Sequence, residues 1–204
     1  MGEFSVPGAA YYRHSYDNKP RLASYWHQVD ECLALGGKSV LVIGQGSGLP
    51  SLLLDRQGLE VTTIDIQPEL KPTILADVRQ LPFSDGAFDL AICCQVLEHL
   101  PFDFFMPSLY ELSRVIRRGL VLSLPDSGRY STLLPRLLRR KVVIELPNIW
   151  FKRWEFNGQH FWQVNTRGQQ LRDVQHAIDK VGLKTERMFR VWELPSHRCW
   201  RLVK

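Results

Sequence analysis

Three glycines and one aspartate carry the clearest chemical signal in this 204-residue sequence. Gly44, Gly46 and Gly48 follow directly after an apolar run. Glycine allows the chain to turn sharply and brings bare backbone amides close to a ligand. Asp65 lies 21 residues after Gly44, at the end of a second apolar run, where a carboxylate can accept both ribose hydroxyls of a nucleoside. The spacing therefore predicts a nucleoside-containing ligand, although Leu49 stands where the dinucleotide fingerprint needs its last glycine.

A second group of polar and aromatic residues could contact a reacting molecule. Tyr11, Tyr12 and His14 precede the first predicted helix, where an N-terminal arm could fold over a ligand; packing of the arm itself is the alternative. Trp162 lies in a polar and aromatic cluster with His160. Imidazole accepts protons near neutral pH, so His160 is a candidate base or substrate contact, with a local structural role as the alternative.

Hydrophobic periodicity places these residues on alternating strands and helices. Apolar residues at helical spacing predict helices over residues 20–35, 50–57, 102–116 and 171–182. Short apolar runs predict strands over residues 39–43, 59–64, 73–75, 87–94 and 119–124. Residues 184–191 and 198–203 predict two final strands joined by a turn at 193–196. A link this short requires the two strands to be antiparallel.

The order of these elements predicts an α/β fold, because βα units alternate along the chain until a final hairpin. We expect a Rossmann-like, seven-stranded and mostly parallel sheet with helices on both faces and an antiparallel last strand. The length suits a single domain spanning residues 1–204. Within it we expect residues 1–19 to form an N-terminal arm and residues 126–165 to form a cap or insert.

The successive motifs resemble those of class I S-adenosylmethionine-dependent methyltransferases, most closely the methyltransferase type 11 group. They are VLVIGQGSG (40–48), the acid at 65, DVRQLPF (77–83), FD (88–89) and VLEHL (96–100), in the family's order. The resemblance implies S-adenosylmethionine as methyl donor, with the glycine loop around its methionine and ribose. The acid after the second strand would bind the ribose hydroxyls, and the acid after the third would meet the adenine amine. The cofactor-binding residues so implied are Gly44, Gly46, Gly48, Asp65, Ile66, Asp77, Val78, Gln95 and Val96.

The resemblance also implies transfer of the methyl group to a small-molecule acceptor, for which anionic, sugar-linked and lipid-linked molecules are candidates. The motifs of DNA amino-methyltransferases and of cytosine C5 enzymes are absent after the fourth predicted strand, and we expect no nucleic-acid partner. Val42 occupies a position, two residues before the first glycine, that is commonly acidic in the family. This departure keeps open an alternative, a non-catalytic donor-binding or interaction protein with the same fold.

Cysteine spacing and hydropathy limit the remaining possibilities. The four cysteines form neither a CxxC pair nor a zinc-like spacing with histidine, so we expect no disulfide and no metal. No apolar run approaches the roughly 20 residues that span a bilayer. The first ten residues lack the features of a signal peptide, and we expect a cytoplasmic protein.

Charge is distributed unevenly along the chain. Residues 1–100 contain 7 Lys and Arg against 12 Asp and Glu, whereas residues 101–204 contain 19 against 9. Part of the basic excess lies in residues 133–141 and 149–154, among leucines and aromatic residues. We expect this stretch to form a lid over the acceptor. A packed insertion with solvated arginines is the second interpretation, and docking on an anionic membrane is the third.

Overall fold

The computed structural model describes residues 8–13, 15–133, 142–146 and 153–204. The strands are β1 (Ser39–Ile43), β2 (Glu60–Asp65), β3 (Ile74–Leu75), β4 (Phe88–Cys94), β5 (Ile116–Pro125), β6 (Tyr130–Leu133), β7 (Val142–Glu145), β8 (Lys184–Val191) and β9 (Leu194–Val203). The helices are α1 (Gly8–Tyr11), α2 (Lys19–Leu35), α3 (Leu49–Arg56), α4 (Phe105–Val115) and α5 (Leu171–Lys180). Within the described ranges, none of these helices has the length and apolar character needed to cross a membrane.

Seven of the strands form one sheet in the order β3-β2-β1-β4-β5-β9-β8. Strands β1 to β5 pair in parallel, and β9 runs antiparallel to both of its neighbours. The predicted mostly parallel sheet with an antiparallel last strand is thus confirmed. The predicted turn at 193–196 is wrong, because β9 begins at Leu194 and pairs at once with Val191. Strand β5 also begins before the predicted residue 119, because helix α4 ends at Val115 and the next residue already pairs with β4.

Strand β1 is apolar after its first residue, Ser39, because helices cover both faces of the sheet. Val40 and Val42 belong to a buried cluster with residues of α2 and α3. Leu41 and Ile43 belong to a second cluster with residues of α4 and α5. Successive strand residues point to opposite faces, so a strand covered on both sides requires an unbroken apolar run.

The segment predicted as a cap contributes both a separate hairpin and part of the core. Strands β6 and β7 form their own two-stranded sheet. The chain then returns to the main sheet, where the Val164 amide donates to the Pro125 carbonyl at 2.9 Å. Trp162 and Val164 are buried in the core. The lid role stays a prediction, since residues 134–141 and 147–152, most of the basic and aromatic stretch, lie outside the described residues.

A buried ion-pair network joins the hairpin to β8 and β9. Asp126 Oδ1 lies 2.8 Å from Arg190 Nη2, and Asp126 Oδ2 lies 2.5 Å from Arg198 Nε. Arg198 also contacts the half-exposed Glu145 of β7 at 2.7 Å. Both arginines and Asp126 are almost fully buried. Loss of one member would leave an uncompensated buried charge, so the network holds the first residue of the insert against the sheet.

Candidate functional site

Two adjoining cavities lie at the carboxyl ends of the parallel strands. The larger cavity, of about 450 Å³, has mainly apolar walls built by the residues after β1, β2, β3 and β4. The smaller cavity, of about 270 Å³, lies between the glycine loop, helix α2, strand β9 and residues 159–163. Tyr11, Gly44, Asp65, Val96 and His99 line both. In open α/β sheets this edge is the usual ligand-binding position.

The glycine loop has a backbone shape that other residues adopt only with strain. Gly44, Gly46 and Gly48 have φ angles of 80°, 51° and 77°, in the left-handed region. A Cβ on Gly44 would also lie 2.7 Å from Cγ2 of Val96, closer than carbon atoms pack. The loop is therefore pressed against the residues that follow β4, and the two form a continuous wall of both cavities.

Asp65 holds the glycine loop and the next turn together. Its Oδ2 accepts the amide of Gln45 at 2.8 Å and its Oδ1 accepts the amide of Gln67 at 2.9 Å. Each carboxylate oxygen keeps a further lone pair for a ligand hydroxyl. Ile66, the next residue, is half-exposed and lines the larger cavity. Asp65 and Ile66 thus lie in the larger cavity beside the glycine loop, while their contacts with a ligand stay a prediction.

Asp77 and Val78 also line the larger cavity, but the Asp77 carboxylate already forms an ion pair with Arg79. Arg79 Nη2 lies 2.6 Å from its Oδ2, and the Arg79 amide donates to its Oδ1 at 2.9 Å. Burial opposes ionisation of Asp77, yet these hydrogen bonds outweigh it and hold the pKa of the carboxyl below its usual range. Val78 is buried and lines the apolar wall. An adenine amine would share Asp77 with Arg79.

Gln95 and Val96 form the part of the wall beside the glycine loop. Gln95 has a φ of 56°, uncommon for a residue with a side chain. Two hydrogen bonds to Ser123 hold it there, from its backbone amide at 2.9 Å and from its side-chain amide at 2.8 Å. A strained residue held by its neighbours is typical of ligand sites.

Of the N-terminal residues predicted to contact a ligand, only some line the cavities. Tyr11 lines both cavities, and burial raises the pKa of its hydroxyl. Its ring packs edge-on against Tyr16, with ring centroids 4.8 Å apart. Tyr12, by contrast, is 63% exposed and lines neither cavity. His14 lies outside the described residues.

Helix α2 supplies polar groups beside Val42. Val42 itself is buried and lines the smaller cavity, so this position provides no charge. Arg21 and the buried Gln28 line the same cavity from α2. Arg21 Nη1 donates to the Tyr16 hydroxyl at 3.2 Å, while its buried Nε has no hydrogen-bond partner among the described residues. Sequence reasoning missed both α2 residues, because the helical stripe identified only the apolar face.

Glu98, His99 and His160 come together at the floor of the smaller cavity. Their ligating atoms all lie within 4.8 Å of one another. Burial raises the pKa of Glu98 to about 8, and it lowers the pKa of His99 below its ordinary value. Burial and the nearby His99 lower the pKa of His160 to about 4. Both imidazoles are consequently neutral near pH 7.

Trp162 is not at the cavities, contrary to its prediction as a substrate contact. Its ring packs edge-on against Phe102 and Phe105, with centroids 4.9 and 5.1 Å away. Its indole N–H donates to the Leu100 carbonyl at 3.0 Å. Instead, His197 of β9 lines the smaller cavity, where burial lowers its pKa to about 3. His197 is opposite Pro125 in the β5–β9 pairing, a register that the sequence alone did not reveal.

The comparison with protein families agrees with this arrangement. Residues 41–124 match a family model described as a methyltransferase domain, the type 11 model. The predicted resemblance to the class I, type 11 group is confirmed, and the matched segment contains the glycine loop, Asp65, Asp77 and the residues after β4.

Curated relatives match only part of this chain. An 84-residue match, 36% identical, links the chain to the ubiquinone biosynthesis O-methyltransferase of Xanthomonas campestris, covering 34% of this chain and 35% of that protein. An uncharacterized methyltransferase of Mycobacterium sp. is 29% identical over 127 residues, which are 57% of this chain and 49% of that protein. The matches span at most about half of these two relatives.

Solved structures show that the whole methyltransferase fold is present. Magnesium protoporphyrin IX methyltransferase from Synechocystis PCC 6803 aligns with a TM-score of 0.67 at 20% identity, covering 98% of this chain and 95% of that one. The 1,6-didemethyltoxoflavin-N1-methyltransferase of Burkholderia thailandensis aligns at 0.64 and 17% identity, covering 93% and 80%. A [4+2]-cyclase aligns at 0.65 and 14% identity, covering 100% and 86%.

Proposed function

We propose that this protein is an S-adenosylmethionine-dependent methyltransferase acting on a small molecule. The observation that carries the proposal is the joining of two cavities at the glycine loop, one mainly apolar with a carboxylate at its edge and one lined by polar side chains. Methyl transfer needs a donor and an acceptor in contact, and two adjoining cavities meet that need. Similarity to the solved methyltransferases supports the fold on which the proposal rests.

The larger cavity fits the nucleoside part of the donor. Its volume lies within the range of small-molecule sites, and its walls from Ile66, Val78 and Val96 are apolar, as a flat base requires. Asp65 would hold the ribose hydroxyls, because both of its oxygens keep acceptor capacity beyond the two backbone amides. Tyr11 would cover the donor from the N-terminal side.

Arg21 would bind the amino-acid end of the donor, beside the uncharged Val42. Its buried Nε lacks a partner among the described residues, and it lines the smaller cavity. A buried unpaired donor is costly unless a ligand satisfies it. The carboxylate at the amino-acid end of the donor has the charge and geometry that a guanidinium binds best.

The smaller cavity would align the acceptor. The bound donor supplies an electrophilic methyl group, so the protein has to position the acceptor, exclude water and, where the acceptor requires it, help to remove one proton. His160, Gln163 and His197 line the acceptor side and can donate or accept hydrogen bonds. An anionic, sugar-linked or lipid-linked acceptor would place its reacting polar group there.

A non-catalytic donor-binding protein is the second candidate, and Val42 is the observation that favours it. The same fold serves other activities, as the structural similarity to a [4+2]-cyclase illustrates. A transfer assay with isotopically labelled methyl groups and a metabolite extract separates the two candidates. We expect a labelled product that forms more slowly with Asp65→Ala when the donor concentration is below saturation. Binding of S-adenosylhomocysteine without any labelled product would favour the second candidate, and absence of both would contradict both.

A further inference from the structure

The cluster of Glu98, His99 and His160 has the composition of a metal site. One carboxylate and two imidazoles offer ligand atoms within 4.8 Å of one another. Ligand bonds to a divalent transition metal are about 2.0–2.2 Å long, so two ligand atoms on one tetrahedral ion lie about 3.4 Å apart. The most widely separated pair would need to approach by roughly 1.4 Å, which rotation of the two part-exposed imidazoles supplies.

Glu98 gives an independent indication that a ligand is missing. It is fully buried, and neither carboxylate oxygen has a hydrogen-bond partner in another described residue. The residue lines the smaller cavity, and no ion pair forms on it within the described ranges. Burial of a carboxylate is costly unless a charge or hydrogen bonds compensate for it, and a bound cation provides that compensation.

The surroundings of the two histidines also suit metal binding. His99 Nδ1 lies 2.9 Å from the Gln159 carbonyl oxygen, which can only accept, so Nδ1 carries the proton and Nε2 is free as a ligand. Metal-binding histidines commonly donate their other N–H to a carbonyl in this way. Gln163 Nε2 lies 3.3 Å from His160 Nδ1, and Gln163 Oε1 accepts from the Ser127 hydroxyl. Rotation of the Gln163 amide by 180° exchanges its oxygen and nitrogen, so that the oxygen accepts the Nδ1 proton and the nitrogen donates to the Ser127 hydroxyl. His160 Nε2 is then free as a ligand.

We propose that Glu98, His99 and His160 bind one divalent first-row transition-metal ion, such as Zn²⁺, Mn²⁺ or Co²⁺. Two imidazoles with one carboxylate favour these ions over Mg²⁺ and Ca²⁺, which prefer oxygen ligands. Three protein ligands leave coordination positions open towards the smaller cavity. If the proposed function holds, an oxygen of the acceptor would bind there; metal binding itself does not depend on that function.

The sequence shows no metal-ligand spacing, contrary to this proposal, because the three ligands are not close together along the chain. Glu98 and His99 are adjacent, but His160 follows 61 residues later and reaches them only because residues 159–164 return to the sheet. The Phe161 amide fixes this return by donating to the Glu98 carbonyl at 2.8 Å. The site is therefore a product of tertiary structure.

Titration of untagged, metal-free protein with Co²⁺ tests the proposal, because cobalt absorption reports nitrogen and oxygen ligation directly. We expect one ion per chain, and competition by Zn²⁺. Since loss of outer partners alone weakens metal affinity about 10–100-fold, Glu98→Gln and His160→Gln should each weaken binding by at least about tenfold. His176→Gln, on the exposed side of helix α5, is the matched control and should bind as the wild type does.

Three outcomes would overturn the proposal: no stoichiometric binding, equal binding by all variants, or loss of binding in the His176 control alone. Thermal melting in the absence of metal identifies any variant that fails to fold. If Glu98→Gln fails to fold, the His160→Gln variant, at a part-exposed position, provides the test instead. A parallel titration with S-adenosylhomocysteine, without metal, tests the donor site separately. Failure of one titration therefore leaves the other interpretable.

Discussion

The wall of the larger cavity and the wall of the smaller cavity differ in what holds their residues in place. The larger cavity is bounded by Gly44, Asp65, Gln95 and Val96, which lie within one or two residues of strand ends. Gly44 and Gln95 are also fixed by their left-handed backbone conformation. The smaller cavity depends on His160 and His197, which a hairpin, a buried ion-pair network and an antiparallel pairing bring together. A local sequence pattern can encode the first wall, whereas the second depends on contacts between distant segments.

The largest expected effect comes from removing the charge that anchors the second wall. Asp126→Asn leaves Arg190 and Arg198 buried with the half-exposed Glu145 as their only carboxylate partner among the described residues, and should lower the free energy of unfolding by about 3–5 kcal/mol. Chemical denaturation measures this change. Asp103→Asn, at an exposed position, is the control and should change stability by less than about 0.5 kcal/mol. A small effect at Asp126 would show that the insert is held in another way.

A methyl group at Gly44, which lines both cavities, should weaken donor binding. Gly44→Ala places Cβ 2.7 Å from Val96 Cγ2 at a φ of 80°, and we expect at least about tenfold weaker binding of S-adenosylhomocysteine. Gly58→Ala is the matched control, since its φ is 86° and a Cβ there meets nothing within 4 Å. The control should lose about 1–2 kcal/mol of stability and keep its donor affinity. Equal affinity losses in both variants would mean that strain, not the shape of the loop, is responsible.

Removing the carboxylate beside the loop should have an intermediate effect. Asp65→Ala leaves the amides of Gln45 and Gln67 without their acceptor and deprives the ribose of a charged partner. We expect a loss of about 1–3 kcal/mol of donor affinity, measured by calorimetry. Asp55→Ala, on the exposed face of α3, should bind as the wild type does. Unchanged affinity in Asp65→Ala would remove this residue from the site.

The smallest effect concerns the residue that sequence reasoning placed wrongly. Trp162→Phe removes the hydrogen bond from the indole to the Leu100 carbonyl, and should lower the free energy of unfolding by about 1–2 kcal/mol. The acceptor KM should not change, because the side chain lies in the core and lines neither cavity. A raised KM with unchanged stability would restore Trp162 as a substrate contact.

The different origins of the two walls explain what the sequence could predict. The unbroken apolar run of β1 and the glycines after it indicated both the strand and the loop, because both follow from local covalent and packing constraints. The aromatic cluster around Trp162 has the composition of a binding site and of a core alike, and only tertiary contacts distinguish the two. The approach of His160 to Glu98, like the position of His197, depends on how distant segments pair, which periodicity does not contain.

The proposal that the glycine loop and Asp65 form a donor site is tested most directly by calorimetric titration of the wild-type protein with S-adenosylhomocysteine, the demethylated product of the donor. We expect one binding site per chain with a Kd of about micromolar order, near the lowest of the common enzyme KM values. Gly44→Ala should weaken this binding and Gly58→Ala should preserve it. Absence of binding heat at about millimolar ligand, together with an unchanged melting temperature, would show that the glycine loop and Asp65 do not form a donor site.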